Sequence, residues 1–196
     1  MSSRSQTFRK LFAFSVILFC AACAPKLGAT IDAPQIPAPA TKPDVRARLG
    51  SYVAIQGVED TRVGIEATDA DQAPGYTEPY GGVNAIVENG MKKAFQESGI
   101  AVVDTAPVTL KAEVRKWRSQ LDAKSTSKLN SEATLYVELQ DPTGKKLYSG
   151  TYNGSRSSQF PVVTRVDVQD SLGLAMANAI EQVISDPQFL ELLGSY

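Results

Sequence analysis

The chain has 196 residues, with 20 basic and 21 acidic side chains, a net charge of −1 and no histidine. That composition removes the commonest general base, the commonest metal ligand and the usual partner of a nucleophilic serine. Its two cysteines, Cys20 and Cys23, lie close together near the N-terminus, so the rest of the chain has no thiol catalysis, zinc-thiolate site or disulfide, and the slightly acidic balance gives no electrostatic reason to bind nucleic acid.

Arg4, Arg9 and Lys10 precede residues 11–22, which are apolar except for Ser15. This is the charged region and apolar region of a secretory leader, and the run is too short to span about 30 Å of hydrocarbon, which takes roughly 20 apolar residues. The leader ends in Cys20-Ala21-Ala22-Cys23. Small side chains before a cysteine resemble the lipobox cut by lipoprotein signal peptidase, with Cys20 standing where a leucine is commoner. Cys23 is therefore expected to become the acylated first residue of the mature protein. Cys20 fits less well, because Phe19 would flank the scissile bond. Loss of the leader removes three basic residues and no acids, giving a mature net charge of −4. Ala24 is not the aspartate that retains many lipoproteins in the inner membrane, so the expected location is the inner leaflet of the outer membrane, facing the periplasm.

Residues 24–44 hold five of the eleven prolines, interleaved with Ala and Thr. Such a composition favours polyproline II over a packed core. Residues 23–48 are therefore expected to form a tether, reaching about 60 Å at about 3.1 Å per residue, with one folded domain over 49–196.

Within that domain, residues 52–58 read as a strand. Residues 64–82, rich in Pro and Gly, read as a loop. Val83, Ile86, Val87, Met91, Ala94 and Phe95 recur at helical spacing, and Gly99 sits where a left-handed cap would end that helix. Residues 108–114 and 133–139 alternate apolar with polar, as half-buried strands do. Asp141-Pro142-Thr143-Gly144 has the form of a type I turn into a hairpin partner over 146–152. Asp167 is expected to cap a helix running to Ser185, and Asp186-Pro187 to open a short last one. The order β-α-β-β-β-α-α predicts an α+β domain with about four strands in an antiparallel or mixed sheet and the helices on one face.

Several features recur as an ordered set: the lipobox, the Pro-rich spacer, the strand Val53-Ala54-Ile55-Gln56-Gly57-Val58 running into Asp60-Thr61-Arg62, the helix ending at Gly99, the Gly144-Lys145-Lys146 hairpin and a final Ala-rich helix leading to Asp186-Pro187-Gln188-Phe189. This set resembles the YajG-type bacterial lipoproteins. The resemblance implies an α+β periplasmic domain held at the envelope, and it supplies no catalytic residues. At the level of fold alone, the layout is also similar to the auxiliary lipoproteins of ABC-type lipid transporters.

Lys124-Ser125-Thr126-Ser127-Lys128 contains the residue types for Ser-Lys catalysis, but a solvated lysine keeps its proton. Glu59-Asp60 and Asp69-Asp71 lack the spacing of a calcium loop. Gly81-Gly82 lacks a nucleotide fingerprint. Two surface features remain as binding candidates. In Arg115-Lys116-Trp117-Arg118, simple alternation places Trp117 outward beside Lys111, Glu113 and Arg115, the composition of an interaction hot spot. The other is the 64–82 loop with Tyr76 and Tyr80. The expected function is therefore a non-enzymatic, lipid-anchored accessory that binds an envelope protein, without cofactor, metal or small-molecule ligand. The alternative is an auxiliary lipoprotein contacting lipid or glycan during transport, which would need an apolar cleft of a few hundred Å³.

Overall fold

The computed structural model describes residues 30–38, 51–62, 76–123 and 127–196. Cys23 and the leader, residues 39–48 of the expected tether, most of the 64–82 loop and residues 124–126 lie outside the described residues. Seven strands and three helices run in the order β1 (Thr30–Asp32), β2 (Tyr52–Asp60), β3 (Tyr76–Tyr80), α1 (Val83–Glu97), β4 (Ala101–Val102), β5 (Thr109–Ala123), β6 (Ser127–Gln140), β7 (Lys146–Phe160), α2 (Arg165–Ser185) and α3 (Pro187–Leu193). The expected α+β class and mixed sheet hold, but the sheet has seven strands, not about four.

The long strand β5 organises the sheet. One edge of it pairs antiparallel with β6 along its whole length, and β6 pairs antiparallel with β7. Its other edge forks. Thr109 to Val114 pair with β2 in parallel, and β2 in turn holds β4. Ser119 and Gln120 pair antiparallel with β3, which holds β1 in parallel. The fork explains why three strands escape a sequence reading. β1, β3 and β4 are two to five residues long, too short for a period-2 pattern to register, and β3 reads Tyr76-Thr77-Glu78-Pro79-Tyr80, with a proline that lowers any strand assignment.

Two expected boundaries move. The Pro-rich stretch is not a tether throughout, because Ile31 and Pro34 are buried and Ile36 packs against the core. A Cβ at Gly173 of α2 would meet the Gln35 carbonyl at 2.4 Å, and one at Gly90 of α1 would meet the Ile36 side chain at 3.0 Å. The bare backbones of two helices thus receive residues 33–37. The second shift is at α2, which starts three residues early: Thr164 rather than Asp167 is the N-cap, and Asp167 closes a capping box by accepting from the Thr164 backbone N–H.

The other helix ends follow their chemistry. Gly99 adopts φ 78°, and the Ile100 and Gly99 N–H groups donate to Phe95 and Gln96, as in a Schellman motif. Asp186 Oδ1 accepts from the Gln188 and Phe189 N–H groups at the start of α3. Asp141 anchors the β6–β7 turn with Gly144 at φ 82°.

All three helices contribute to one core against a single face of the sheet, in which Met91, Phe95, Leu110, Trp117, Leu135, Leu172, Met176, Ile180 and Phe189 are buried. Helix α2 comes closest at Gly154 of β7, where a Cβ would stand 1.9 Å from the Ala175 carbonyl. That approach lets Gln182 exchange hydrogen bonds with both backbone groups of Asn153, and Asn178 donate to the Ser155 carbonyl. The middle of an edge strand is covered in this way.

Trp117 corrects the expected surface cluster. It is fully buried, and its Nε1–H donates to the Leu172 carbonyl of α2 at 2.9 Å. The cause is a β-bulge. Val114 pairs with Leu135, but the next pair is Lys116 with Thr134, which leaves Arg115 as an extra residue. One inserted residue reverses the side-chain phase beyond it. Leu110, Ala112 and Val114 point inward before the bulge, and Trp117 and Ser119 after it.

Candidate functional site

Among the described residues no helix packs on the other face of the sheet, and the bulge determines which side chains stand on it. Two consecutive residues, Arg115 and Lys116, now avoid the core, and Arg118 follows on the same face. Arg115 lies over the Tyr136 ring, 3.9 Å from its centroid, and pairs with Glu113 at 2.9 Å. Arg118 lies over the Tyr76 ring at 4.0 Å and donates to Glu132 at 2.5 Å, with Lys116 3.8 Å from the same carboxylate. Two Arg–Tyr stacks thus reach from β5 to its two flanking strands, Arg115 to β6 and Arg118 to β3, each tied to an acid.

Next to the second stack is a hollow of about 420 Å³ lined by Tyr76, Arg118, Gln120, Asn130, Glu132 and Ser157, among others. It lies over β5 to β7, and amide, hydroxyl and charged groups line it beside the Tyr76 ring. Another hollow, of about 540 Å³, lies beside the β6–β7 turn and is also lined with polar groups, including Gln56, Asp104, Lys111 and Thr143. Neither resembles an apolar lipid cleft.

Further along the face, Glu138 accepts from Gln140, Tyr136 and Lys146. These contacts, the Gln140 hydrogen bond foremost, hold its carboxyl below the usual range. At the other end, burial pushes Glu78 above the usual carboxylate range, and the charges of Arg62 and Arg118 oppose that only in part.

The sequence-predicted residues therefore divide. Arg115, Arg118 and Tyr76 come together on the open face. Tyr80 is 54% exposed at the far end of β3. Trp117 belongs to the core, and Cys23 lies outside the described residues.

Arg62 went unread in the sequence, where it looked like the polar end of a strand. Its side chain is only 4% exposed and pairs with Asp60 at 2.7 Å. It donates to the Trp117 carbonyl at 3.3 Å and to the Pro79 carbonyl at 3.0 Å. Among the described residues β5 has no strand partner on this edge between Val114 and Ser119, and the guanidinium lies in that gap. Arg is suited to the position because its planar fork can satisfy several acceptors at once. Nothing in sequence spacing announces this role. The buried hydroxyls are accounted for in a similar way: Ser131 lies 2.8 Å from both Ser119 and Ser171, forming a chain that joins sheet and helix.

Among the described residues, no group of three or more acids could hold a metal ion, and no helix is long and apolar enough to cross a membrane. A family model described as uncharacterized lipoprotein matches residues 58–193, and the chain belongs to that family. No curated protein shows significant similarity to it. Its fold is similar to that of protein XCC0632 from Xanthomonas campestris, with a TM-score of 0.52 at 15% identity over 85% of this chain and 96% of that one. A minor lipoprotein from Acinetobacter baumannii aligns with a TM-score of 0.45 at 14% identity, over 74% of this chain and 94% of that one.

Proposed function

We propose that this lipoprotein is a non-catalytic accessory of the cell envelope, anchored through acylated Cys23 in the inner leaflet of the outer membrane, and that it uses the open face of its sheet to bind a protein partner. The observation that carries this reading is the pair of Arg–Tyr stacks, Arg115 on Tyr136 and Arg118 on Tyr76, on the face opposite the described helices. Tyrosine and arginine dominate binding hot spots because they present large, stiff surfaces with polar edges. Here the stacking fixes both side chains before a partner arrives, which lowers the entropy lost on binding. The acids that pair with the arginines make the face mixed in sign and suit it to a protein surface of mixed charge. The polar walls of both hollows favour this reading over the carriage of lipid.

The test is in-cell photo-crosslinking from positions 76 and 136, with position 52 as a control because Tyr52 is 51% exposed away from the stacks. The reading expects a common crosslinked protein from 76 and 136, lost in Arg118→Glu and absent from 52. The same products from all three positions, or no loss in Arg118→Glu, would refute it.

A further inference from the structure

The chain between the expected anchor and the fold is short, and that constrains how the domain sits at the membrane. Only six residues lie between Cys23 and Thr30, where β1 begins, seven chain steps that span about 24 Å when fully extended. Thr30 pairs with Glu78 and Thr77 pairs with Ser119, so Thr30 lies about level with Arg118. β1 runs parallel to β3 and therefore opposite to β5, so the chain preceding Thr30 points toward the end of the sheet where Ala123, Ser127 and Phe160 are paired. Ala123 is five residues beyond Arg118, about 16 Å along the strand. Even a straight connection would extend only about 8 Å past that end, and any other course brings the domain closer to the bilayer.

This end of the sheet carries the most exposed large aliphatic side chains among the described residues. Val162 is 67% exposed and Val166 61%. They stand four residues apart around the start of α2, next to exposed Pro161, while Phe160 packs against the core and holds the turn in place. We infer that Pro161, Val162 and Val166 seat on the surface of the membrane that anchors the chain, so that the sheet stands end-on with its open face turned sideways toward the periplasm. This rests on Cys23 carrying the lipid. The charged groups described at this end balance, with Lys128, Arg156 and Arg165 against Asp122, Asp167 and Asp170. The seat is therefore apolar rather than electrostatic, and the anchor supplies a high effective concentration for a contact that would be weak alone.

The experiment uses the full acylated protein in vesicles of phosphatidylethanolamine and phosphatidylglycerol. Nitroxides are placed at Val162→Cys or Val166→Cys, and at Thr143→Cys in the turn at the opposite end of β6. Mass spectrometry checks the acyl chain on each preparation. At 162 and 166, accessibility to oxygen relative to a water-soluble nickel chelate should exceed that at 143 several-fold, and should persist in 0.5 M salt. Acylated protein with 162 and 166 as open to nickel as 143 would overturn the docking and leave the anchor standing. Lipid contact that disappears in salt would overturn the apolar seat. Protein without an acyl chain on Cys23 would overturn both.

Discussion

Trp117 is the only tryptophan in the chain, which makes its burial measurable in the unmodified protein. Its indole is fully enclosed, and its N–H is bonded to the Leu172 carbonyl. Truncating such a ring to alanine removes its transfer energy and leaves a cavity, a loss of about 3 to 5 kcal/mol. Trp117→Phe keeps most of the apolar contact but forfeits the hydrogen bond, at about 1 kcal/mol, and some volume, for a total of about 1 to 3 kcal/mol. Its neighbours on the opposite face set the contrast: Lys116→Ala and Arg118→Ala should each change stability by no more than about 0.5 to 1 kcal/mol, as exposed ion pairs do. Urea melts followed by far-UV circular dichroism measure all four variants. In the wild type, tryptophan emission should be blue-shifted and should move red on unfolding. If Trp117→Ala cost no more than Arg118→Ala, or if the native emission were that of a solvated indole, the bulge at Arg115 would be misplaced and the ring would belong to the surface.

Three other perturbations address the packing. Gly154→Ala places a methyl group within 1.9 Å of the Ala175 carbonyl, so α2 must lift from β7, and melts should show a loss of about 3 kcal/mol or more. Gly173→Ala would gain about 1 kcal/mol in an isolated helix, yet its Cβ would meet the Gln35 carbonyl at 2.4 Å; the variant should be less stable and more readily cleaved within residues 33–38, and a stabilised variant with unchanged cleavage would show that this segment does not rest on α2. Asp186 receives the Tyr148 and Tyr152 hydroxyls at 2.6 and 2.9 Å. Burial would raise its pKa, but these bonds and the α3 N–H groups outweigh it and hold the carboxyl below its usual range. Because the folded pKa is the lower one, its contribution is present above the unfolded pKa of about 4 and is lost as pH falls through the folded value. Asp186→Asn should be less stable at pH 7 and should lose less stability than the wild type between pH 5 and 3 in urea melts.

The parts of the fold that were legible in the sequence are those set by local chemistry. The helix over 83–97, its Gly99 cap, the Asp141-Pro142-Thr143-Gly144 turn and the Asp186-Pro187 start were all readable, because each depends on residues within a few positions of one another. What stayed hidden depends on distant partners. β3 exists because the free half of β5's edge needs hydrogen bonds, and Thr77 and Pro79 face the core despite the loop-like composition around them. Ile31, Pro34 and Ile36 look like fragments of a spacer until Gly90 and Gly173, more than fifty residues further on, provide bare helix surface to receive them. The candidate site was half legible for the same reason. Arg115, Arg118 and Tyr76 could be nominated from type, but their stacking partners and the gap in which Arg62 lies arise from strand pairing.

The bulge at Arg115 is the point where fold and site depend on each other. A strand of fifteen residues in strict alternation would keep one set of odd positions inward throughout. β5 cannot do so, because its first half packs its even positions, Leu110, Ala112 and Val114, against the core, while its second half has its large apolar side chains, Trp117 and Leu121, at odd positions. The inserted residue resolves the conflict where β5 exchanges β2 for β3. At that point the ladder is already interrupted and Arg62 already supplies donors, so the local disruption costs little further pairing. The same step turns Arg115 and Lys116 together toward solvent, followed by Arg118, which concentrates three cations on about 10 Å of strand. Forcing Arg115 into the ladder, so that the strand pairs in strict alternation, would therefore expose the indole and bury Lys116 and Arg118 in one move. The core and the open face share one ladder, and a change of register that shifts one must shift the other.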